Sequence, residues 1–495
     1  MDLYDNVKFT EESIDNITDE ATDWANTHGI VMRNRKDLRL NNFAPFTLFP
    51  SPFPEYLYKE AFDVHKHFQS LMLRCSRDHG FLESSLKSVI VHDEFTRKLY
   101  NIYNIVREEG IKQPITVDLM RNDYMLDDKR KTSYTNGHNV NGSLHREFEI
   151  KQIEINMIAS SFSGLGSQTC KLHRHISDVL MDKSPIKNEK LPPNDTIVGL
   201  GRGLAEAWKL YGNESATLLF IVQAGEKNRY DQRLLQYSFQ ERIKEFKLKR
   251  YVPIIFKSLG EIFKEGKLTE DHRLIIGDHE VAVAYFRAGY TPNDYITENC
   301  WKARLLIERS KAIKSPNIAA HLVGSKKIQQ VLSAKGSVER FIKDPEAVKK
   351  IRRTFAGLYS LDEGQEGDQA AKMALANPEN FVLKPQREGG GNNYYGEELV
   401  SVLKAIKDPV ERSQYILMDK VNPPVYKNFI VHIEFDRPKL LDVVNEIGVF
   451  GILISNDGNE VINESVGYLV RTKSIEHADG GVAAGRAVLD SISLF

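Results

Sequence analysis

The chain has 495 residues, 41% of them apolar and 27% charged, and its 67 Lys and Arg against 68 Asp and Glu leave a net charge of −1. That composition excludes a wholly disordered chain and gives no sign of a strongly basic nucleic-acid surface. Three cysteines, Cys75, Cys170 and Cys300, are too few for a disulfide framework, and the length favours about three domains.

The opening MDLYDNVKFTEESIDNITDE is acidic and has no apolar signal core. No apolar run reaches the roughly 18 residues of a membrane span, so a cytoplasmic protein is expected. Ile14, Ile17, Ala21, Trp24 and Ala25 recur near the helical period and predict a first helix, stopped by Gly29. The proline-rich APFTLFPSPFP at 44–54 predicts an extended connector over the surface, because proline breaks helices and central strands. Helical pattern resumes from 57 to 109. Residues 126–147 are charged and polar and read as a long turn or hairpin. KQIEINMIA at 151–159 opens with the alternation of a half-buried strand. LGRGLAEAWKLYG predicts a helix ending at Gly212; its GLGRG lacks a full GxGxxG, which argues against a dinucleotide loop.

ATLLFIVQ at 216–223, RYVPIIF at 250–256 and HEVAVAYFR at 279–287 predict strands separated by helices, the pattern of an α/β domain. WKARLLIERSKAI at 301–313 predicts a helix, and 314–380 reads as mainly helical. FVLKPQ, YILMDKV and FIVHIEF, at 381–386, 415–421 and 429–435, predict strands, with a helix over EELVSVLKAIK. An antiparallel sheet is expected from LDVVNEIGVFGILIS onward.

The most unusual local sequence is KPQREGGGNNYYGEE at 384–398. Three successive glycines carry a backbone-entropy cost that close approach to a ligand would offset. Their N–H groups can cradle phosphate, Lys384 supplies a cation, and Glu388 supplies a carboxylate for magnesium. It is not a Walker A loop, and the residues alone leave phosphate binding and a flexible hairpin equally open. Glu154 and Asn156, two apart on a strand, share a face, with Ile155 opposite. Their oxygens suit magnesium, or form a polar pair at a sheet edge. ASSFSGLGS at 159–167 places small hydroxyls just beyond. HADGGVAAGR at 477–486 has almost no side-chain bulk and fits either a loop over a small ligand or a helix packed on a sheet. Arg471 and Lys473 share a strand face and offer cations to carboxylates or phosphates. Arg121 in RNDYM and Arg287 in YFRAGY are further candidates, although each, taken singly, reads first as a surface or structural ion pair. HExxH, CxxC and GxSxG are all missing, which argues against a zinc site, a redox pair and a serine-hydrolase elbow.

APFTLFPS, RNDYM, KQIEIN, YFRAGY, TFAGLYSLDEGQEGDQA, FVLKPQREGGGNN and RTKSIEHADGGVAAGR follow one another over nearly the whole chain. In that order they resemble the eukaryotic glutathione synthetases of the ATP-grasp superfamily. The resemblance implies an α/β fold with α+β elements: an ATP-grasp core, a lid, and a separate parallel-sheet α/β substrate-binding domain. It divides the chain into 1–215, the N-terminal part of the body; 216–325, the substrate domain; 326–374, a helical connection with part of the body; 375–435, the lid with its glycine-rich loop; and 436–495, the C-terminal part of the body with the alanine- and glycine-rich loop.

The implied activity is ATP-dependent ligation of γ-L-glutamyl-L-cysteine to glycine through an acyl phosphate, with ATP as co-substrate and Mg2+ as cofactor. A homodimer without nucleic-acid or membrane partners is implied as well. By the same resemblance Glu154, Asn156 and Glu388 hold magnesium. Glu154, Lys326, Lys384, Glu388, Gly389, Gly390, Gly391, Asn392, Asn393, Tyr395, Met418, Asp419, Lys420, Val421, Glu446, Lys473 and Asp479 bind the nucleotide. The dipeptide meets Arg121, Ala159, Ser160, Ser161, Glu226, Lys227, Asn228, Gln232, Arg287, Tyr290, Arg471, Val482 and Ala483, and Arg121 is the catalytic candidate. Ala288 stands where relatives commonly carry an acidic residue and Ala159 where serine is common, changes that bear on substrate affinity. Two other readings are a related ligase using a different amine or γ-glutamyl dipeptide, and an inactive ATP-binding scaffold protein.

Overall fold

The computed structural model describes residues 9–34, 36–128, 148–181, 187–248, 251–476, 482 and 485–495. The α/β class expected from the sequence is what the chain adopts, in three principal sheets. Residues 129–147, most of the stretch read as a turn or hairpin, lie outside the described residues, as do 477–481, 483 and 484 of HADGGVAAGR.

The largest sheet has seven strands, in the order Tyr426–Val431, Phe46–Thr47, Val488–Asp490, Asn459–Ser474, Lys439–Asn456, Ile115–Asp128 and Phe148–Asn156. Tyr426–Val431 also pairs with the start of Lys439–Asn456, so five strands close on themselves. The long hairpin turns at Asp457 and Gly458, both at positive φ (48° and 82°), which matches the right-handed twist of its arms. On one face the sheet packs against helix Glu55–Arg77, on the other against Ser163–Leu180 and Thr196–Tyr211.

Helix Thr196–Tyr211 lies close enough to its neighbours that three of its positions admit no side chain. A Cβ on Gly199 would come within 2.4 Å of Val466 Cβ, on Gly201 within 2.3 Å of Ser238 Oγ, and on Gly203 within 2.9 Å of Ile452 Cγ2. The glycines of GLGRG thus serve helix packing, within an unbroken helix.

The second sheet carries four parallel strands in the order Ile254–Lys257, Thr217–Ile221, His279–Phe286 and Ile313–Ser315. A hairpin, Gly266–Leu268 with Leu274–Ile276, extends the start of His279–Phe286 antiparallel. The third sheet, in the order Leu358–Ser360, Tyr415–Asp419, Phe381–Pro385 and Tyr394–Tyr395, is antiparallel. Helices Gln365–Ala376 and Gly396–Ala405 cover it around a separate small core that includes Leu361, Phe381, Leu383, Leu399 and Leu417.

Three local expectations are corrected. The stretch 44–54 does not cross the surface: Ala44, Phe46, Leu48, Phe49 and Phe53 are buried. Its prolines leave room for two short strands, Phe46–Thr47 inside the large sheet and Ser51–Phe53 beside Ile492–Leu494, and the five buried apolar side chains outweigh the lost N–H donors. The helical run from 57 to 109 is four helices: Asp78 and Asp93 leave the helical conformation and cap the next segment through Phe81 N (2.9 Å) and Thr96 N (2.7 Å), and a further break falls at Lys87 and Ser88. The strand expected at 429–435 spans Tyr426–Val431. No helix of the described residues is long and apolar enough to cross a membrane.

Candidate functional site

The site is built by strand register. Arg121 stands opposite Asn156 on one side and Phe450 on the other; Asp123 stands opposite Glu154 and Gly448; Glu446 stands opposite Arg471. Directly opposed residues share a sheet face, so Arg121, Asp123, Glu154, Asn156, Glu446 and Arg471 point the same way. Further along that face, Val117, Leu119, Ile452 and Ile454 belong to the apolar core. Between Leu119 and Arg121 the face changes from core to charged cleft.

Asp123 is the hub of the arginine cluster. Its carboxylate is fully buried and accepts from Arg121 Nε (2.6 Å), Arg121 Nη2 (2.8 Å), Arg471 Nη2 (2.8 Å) and Asn156 Nδ2 (2.9 Å). Arg121 also donates from Nη1 to Ser161 O (3.1 Å), and Arg471 donates to Glu446. Burial raises the Glu446 carboxyl above its ordinary value, against the pull of Arg471.

The second cluster centres on Lys326, the first residue of helix Lys326–Ser333. Its buried ammonium donates to Glu154 Oε1 (2.8 Å), Arg387 O (2.5 Å) and Glu388 Oε1 (3.3 Å). Burial raises both carboxyls. For Glu154 the nearby Lys326 and Lys384 outweigh burial and hold it below the carboxylate range, whereas Glu388 stays raised because Glu154 adds like charge beside it. Two carboxylates therefore compete for one ammonium. The ladder slips between Asp123 and Tyr124, leaving Ile153 as an extra residue in its strand. The Ile153 carbonyl accepts from Lys384 Nζ at 2.8 Å, so the bulge ties the large sheet to strand Phe381–Pro385. Beyond that strand Gly389, Gly390 and Gly391 sit at φ of 98°, 68° and 76°, a left-handed run open to glycine and few others.

Arg121, Ile153, Glu154, Asn156, Lys326, Arg387, Glu388, Glu446 and Arg471 line one cleft, together with Ala159, Ser160, Ser161, Tyr290, Lys384, Gly389, Gly390, Asn392, Asn393 and Val482, while Asp123 is buried outside its lining. The cleft gathers residues from KQIEINMIA, ASSFSGLGS, KPQREGGGNNYYGEE and HADGGVAAGR, with Arg121 and Arg471. Gly391, Tyr395, Met418, Asp419, Lys420, Val421 and Lys473 lie outside its lining. Tyr395, Met418 and Asp419 belong to the small sheet, and Lys420 N donates to Asn380 O at 2.8 Å. Asp479 and Ala483 lie outside the described residues.

Glu226, Lys227, Asn228, Gln232 and Arg287 gather at the carboxyl ends of two adjacent parallel strands, Thr217–Ile221 and His279–Phe286, where open α/β sheets bind ligands. Glu226 accepts from Asn228 N (2.8 Å) and Gln232 Nε2 (2.7 Å). Both amide atoms of buried Asn228 and Oε1 of Gln232 lack a protein partner among the described residues. Arg287 donates to Ala159 O at 2.5 Å and so joins this region to the cleft. Ala159 itself has a φ of 55° and Phe162 of 67°, and Asp231 fixes that bend through Phe162 N (2.8 Å) and Gly164 N (2.7 Å).

The donor set suits magnesium. Glu154 and Glu388 converge within hydrogen-bond reach of one ammonium, Asn156 lies on the same face, and all three offer hard oxygens. Among the described residues, no group of three or more His, Cys, Asp or Glu converges as a cation site.

Sequence reasoning missed Asp123, Ile153, Gly448 and Asp231. Asp123 carried a usable signal, two residues from Arg121 in a strand; the other three act through register and packing.

The family profile described as "Eukaryotic glutathione synthase, ATP binding domain" matches residues 11–494. The chain is 43% identical over 494 residues to the glutathione synthetase of Xenopus laevis, covering 99% of this chain and 98% of that one. It is 42% identical over 489 residues to that of Homo sapiens, 97% of each, and 39% identical over 501 residues to the chloroplastic glutathione synthetase of Arabidopsis thaliana, 99% of this chain and 87% of that one. A solved structure of a glutathione synthetase-like effector from Globodera pallida, in apo form, superposes with a TM-score of 0.77 over 99% of both chains at 24% identity, a likeness of fold alone.

Proposed function

The chain belongs to the eukaryotic glutathione synthase family, and from that premise we propose that it joins γ-L-glutamyl-L-cysteine to glycine with consumption of ATP. The products are glutathione, ADP and phosphate. The observation that carries this reading is the cleft in which two lysines, three carboxylates and three arginines converge. Joining a carboxylate to an amine needs a better leaving group than oxide. Transfer of the γ-phosphoryl group to a dipeptide carboxylate oxygen breaks a P–O bond of ATP and forms another, releasing ADP. The glycine amine then attacks that carbonyl carbon: a C–N bond forms, the C–O bond to phosphate breaks, and the amine proton goes to solvent.

In this reading Glu154, Asn156 and Glu388 hold magnesium, which neutralises phosphate charge when bound. Lys326 and Lys384 act on the phosphates as point charges. Arg121 stabilises charge at the reacting carboxylate, and Arg471 and Arg287 receive dipeptide carboxylates. Asn228 and Gln232, with their unpartnered amide atoms, are suited to the dipeptide's polar groups. No side chain serves as nucleophile, and rate comes from positioning and electrostatics.

The small sheet with its own core, Leu358–Ser360 through Tyr415–Asp419, is our candidate for the closing lid. It overlaps the lid expected at 375–435 and excludes Tyr426–Val431, which pairs in the large sheet. Its closure over the glycine loop excludes water from the acyl phosphate. We take the working form as a homodimer, as the resemblance implies.

The test is ADP release with ATP, magnesium and γ-glutamylcysteine, with and without glycine, alongside mass detection of the product. Glycine-dependent release with stoichiometric glutathione is expected. Release that follows a different amine or dipeptide replaces the substrate assignment, and ATP binding without amine-dependent turnover replaces the enzyme with a scaffold.

A further inference from the structure

We propose that Asp123 is the positioning residue that aims Arg121 and Arg471 at the dipeptide, and that Gly448 is bare to admit its carboxylate; this rests on the reaction proposed above. Asp123 accepts four hydrogen bonds, from two arginines and from Asn156, all within 2.6–2.9 Å. Its residues of contact come from different parts of the site: Arg121 for the reacting carboxylate, Arg471 for the dipeptide, Asn156 for the metal. No other side chain among the described residues joins the three.

The Arg121–Asp123 contact is bidentate. Nε and Nη2 form a fork that fixes the guanidinium plane. A guanidinium has five N–H donors; two go to Asp123 and one to Ser161 O, which leaves two for the cleft that Arg121 lines. Arg471 instead gives Nη2 alone to both Asp123 and Glu446. An arginine side chain left alone carries a large rotamer entropy. Asp123 removes it from two arginines before substrate arrives, which is how a buried anion raises the affinity of a site for other anions.

Gly448 supplies the independent observation. Opposite Asp123 in the ladder, it would place a Cβ 2.4 Å from Asp123 Oδ1, 2.7 Å from Arg121 Cδ and 2.9 Å from Arg121 Nε. A methyl group there shifts the fork while leaving every charge in place. Charge neutralisation and positioning therefore separate experimentally.

The experiment measures γ-glutamylcysteine affinity by calorimetry, and KM for the dipeptide and for ATP by ADP release, in wild type, Asp123→Asn and Gly448→Ala, each with a melting curve. Both variants are expected to weaken dipeptide binding tenfold or more and to lower kcat, with the KM for ATP within about twofold of wild type in Gly448→Ala, which keeps the Asp123 carboxylate that Asn156 donates to. Gly448→Ala with unchanged dipeptide affinity overturns the proposal, as does a loss shared equally between dipeptide and ATP. If Asp123→Asn fails to fold, Gly448→Ala alone decides, on the same criteria, and if Gly448→Ala fails, the dipeptide affinity of Asp123→Asn decides. Wild type that binds the dipeptide but forms no glutathione refutes the proposed reaction while the affinities still judge Asp123. Wild type that does not bind the dipeptide refutes both.

Discussion

Glutamine in place of Glu154 or of Glu388, studied in EDTA so that no metal intervenes, separates two carboxylates that share one lysine. Glu154 is held down from an ordinary 4.5 to about 2, with burial opposing and Lys326 and Lys384 prevailing. That interval corresponds to about 3 kcal/mol, and the side chain's one-fifth exposure brings the expectation to about 2 kcal/mol. A lowered carboxyl stabilises the fold above its unfolded value and loses that contribution as pH falls from 4.5 toward 2. Glu154→Gln is therefore about 2 kcal/mol less stable than wild type throughout pH 5–8, and the gap closes in acid. Glu388 has the opposite sign. Burial first, then Glu154, raise it to about 8, so its contribution is complete below 4.5 and lost as pH climbs toward 8. Glutamine has no proton to lose, so Glu388→Gln matches wild type near pH 5 and exceeds it near pH 8 by about 1 kcal/mol or more. The protons belong to the pair, so the comparison of the two variants is the measurement. Urea unfolding at pH 4, 5, 6, 7 and 8 reads it directly. Equal destabilisation by both variants at every pH would refute the asymmetry. Both variants are expected to lose turnover with ATP and magnesium.

Arg121→Ala should lower kcat by about 10² to 10³, the range for removing a charge-stabilising donor, and a loss confined to the KM for ATP would remove Arg121 from the chemical step. Gly203→Val places methyls against Ile452, whose Cγ2 would already lie 2.9 Å from a Cβ, so a loss of about 1–3 kcal/mol is expected; an unchanged melting temperature would contradict the packing account. Cys75, Cys170 and Cys300 are buried and unpaired, and burial pushes the Cys75 and Cys170 thiols up, away from the reactive thiolate. The triple Cys→Ala protein should keep turnover within about twofold per folded molecule, and a folded triple variant without product would establish a thiol role.

Elements whose apolar pattern matches their period were legible from the sequence. The helix ending at Gly212, the strands at 216–223 and 279–287 and the long antiparallel sheet all stand within a few residues of their expected places. The stretch 44–54 misled because four prolines outweighed five apolar side chains in a local reading, whereas burial decided in the fold. A turn signal was also present and unused: Asp457-Gly458 sits where a two-residue hairpin turn favours that pair.

At the site, the types of group were legible and their partnership was not. Glu154 and Asn156 share a face by alternation alone, and the glycine triplet stands out by composition. What joins them is register between strands more than three hundred residues apart in sequence: Gly448 faces Asp123, and Arg471 reaches it across an intervening strand. One extra residue at Ile153 shifts the pairing and presents the carbonyl that holds Lys384. A one-residue slip reverses every face beyond it, so no reading of a single strand contains that contact. The same dependence explains why Asp123 escaped notice. An acid two residues from an arginine is ordinary in any sequence; it becomes the centre of a site only when Gly448, on another strand, leaves its carboxylate the space to reach both arginines at once.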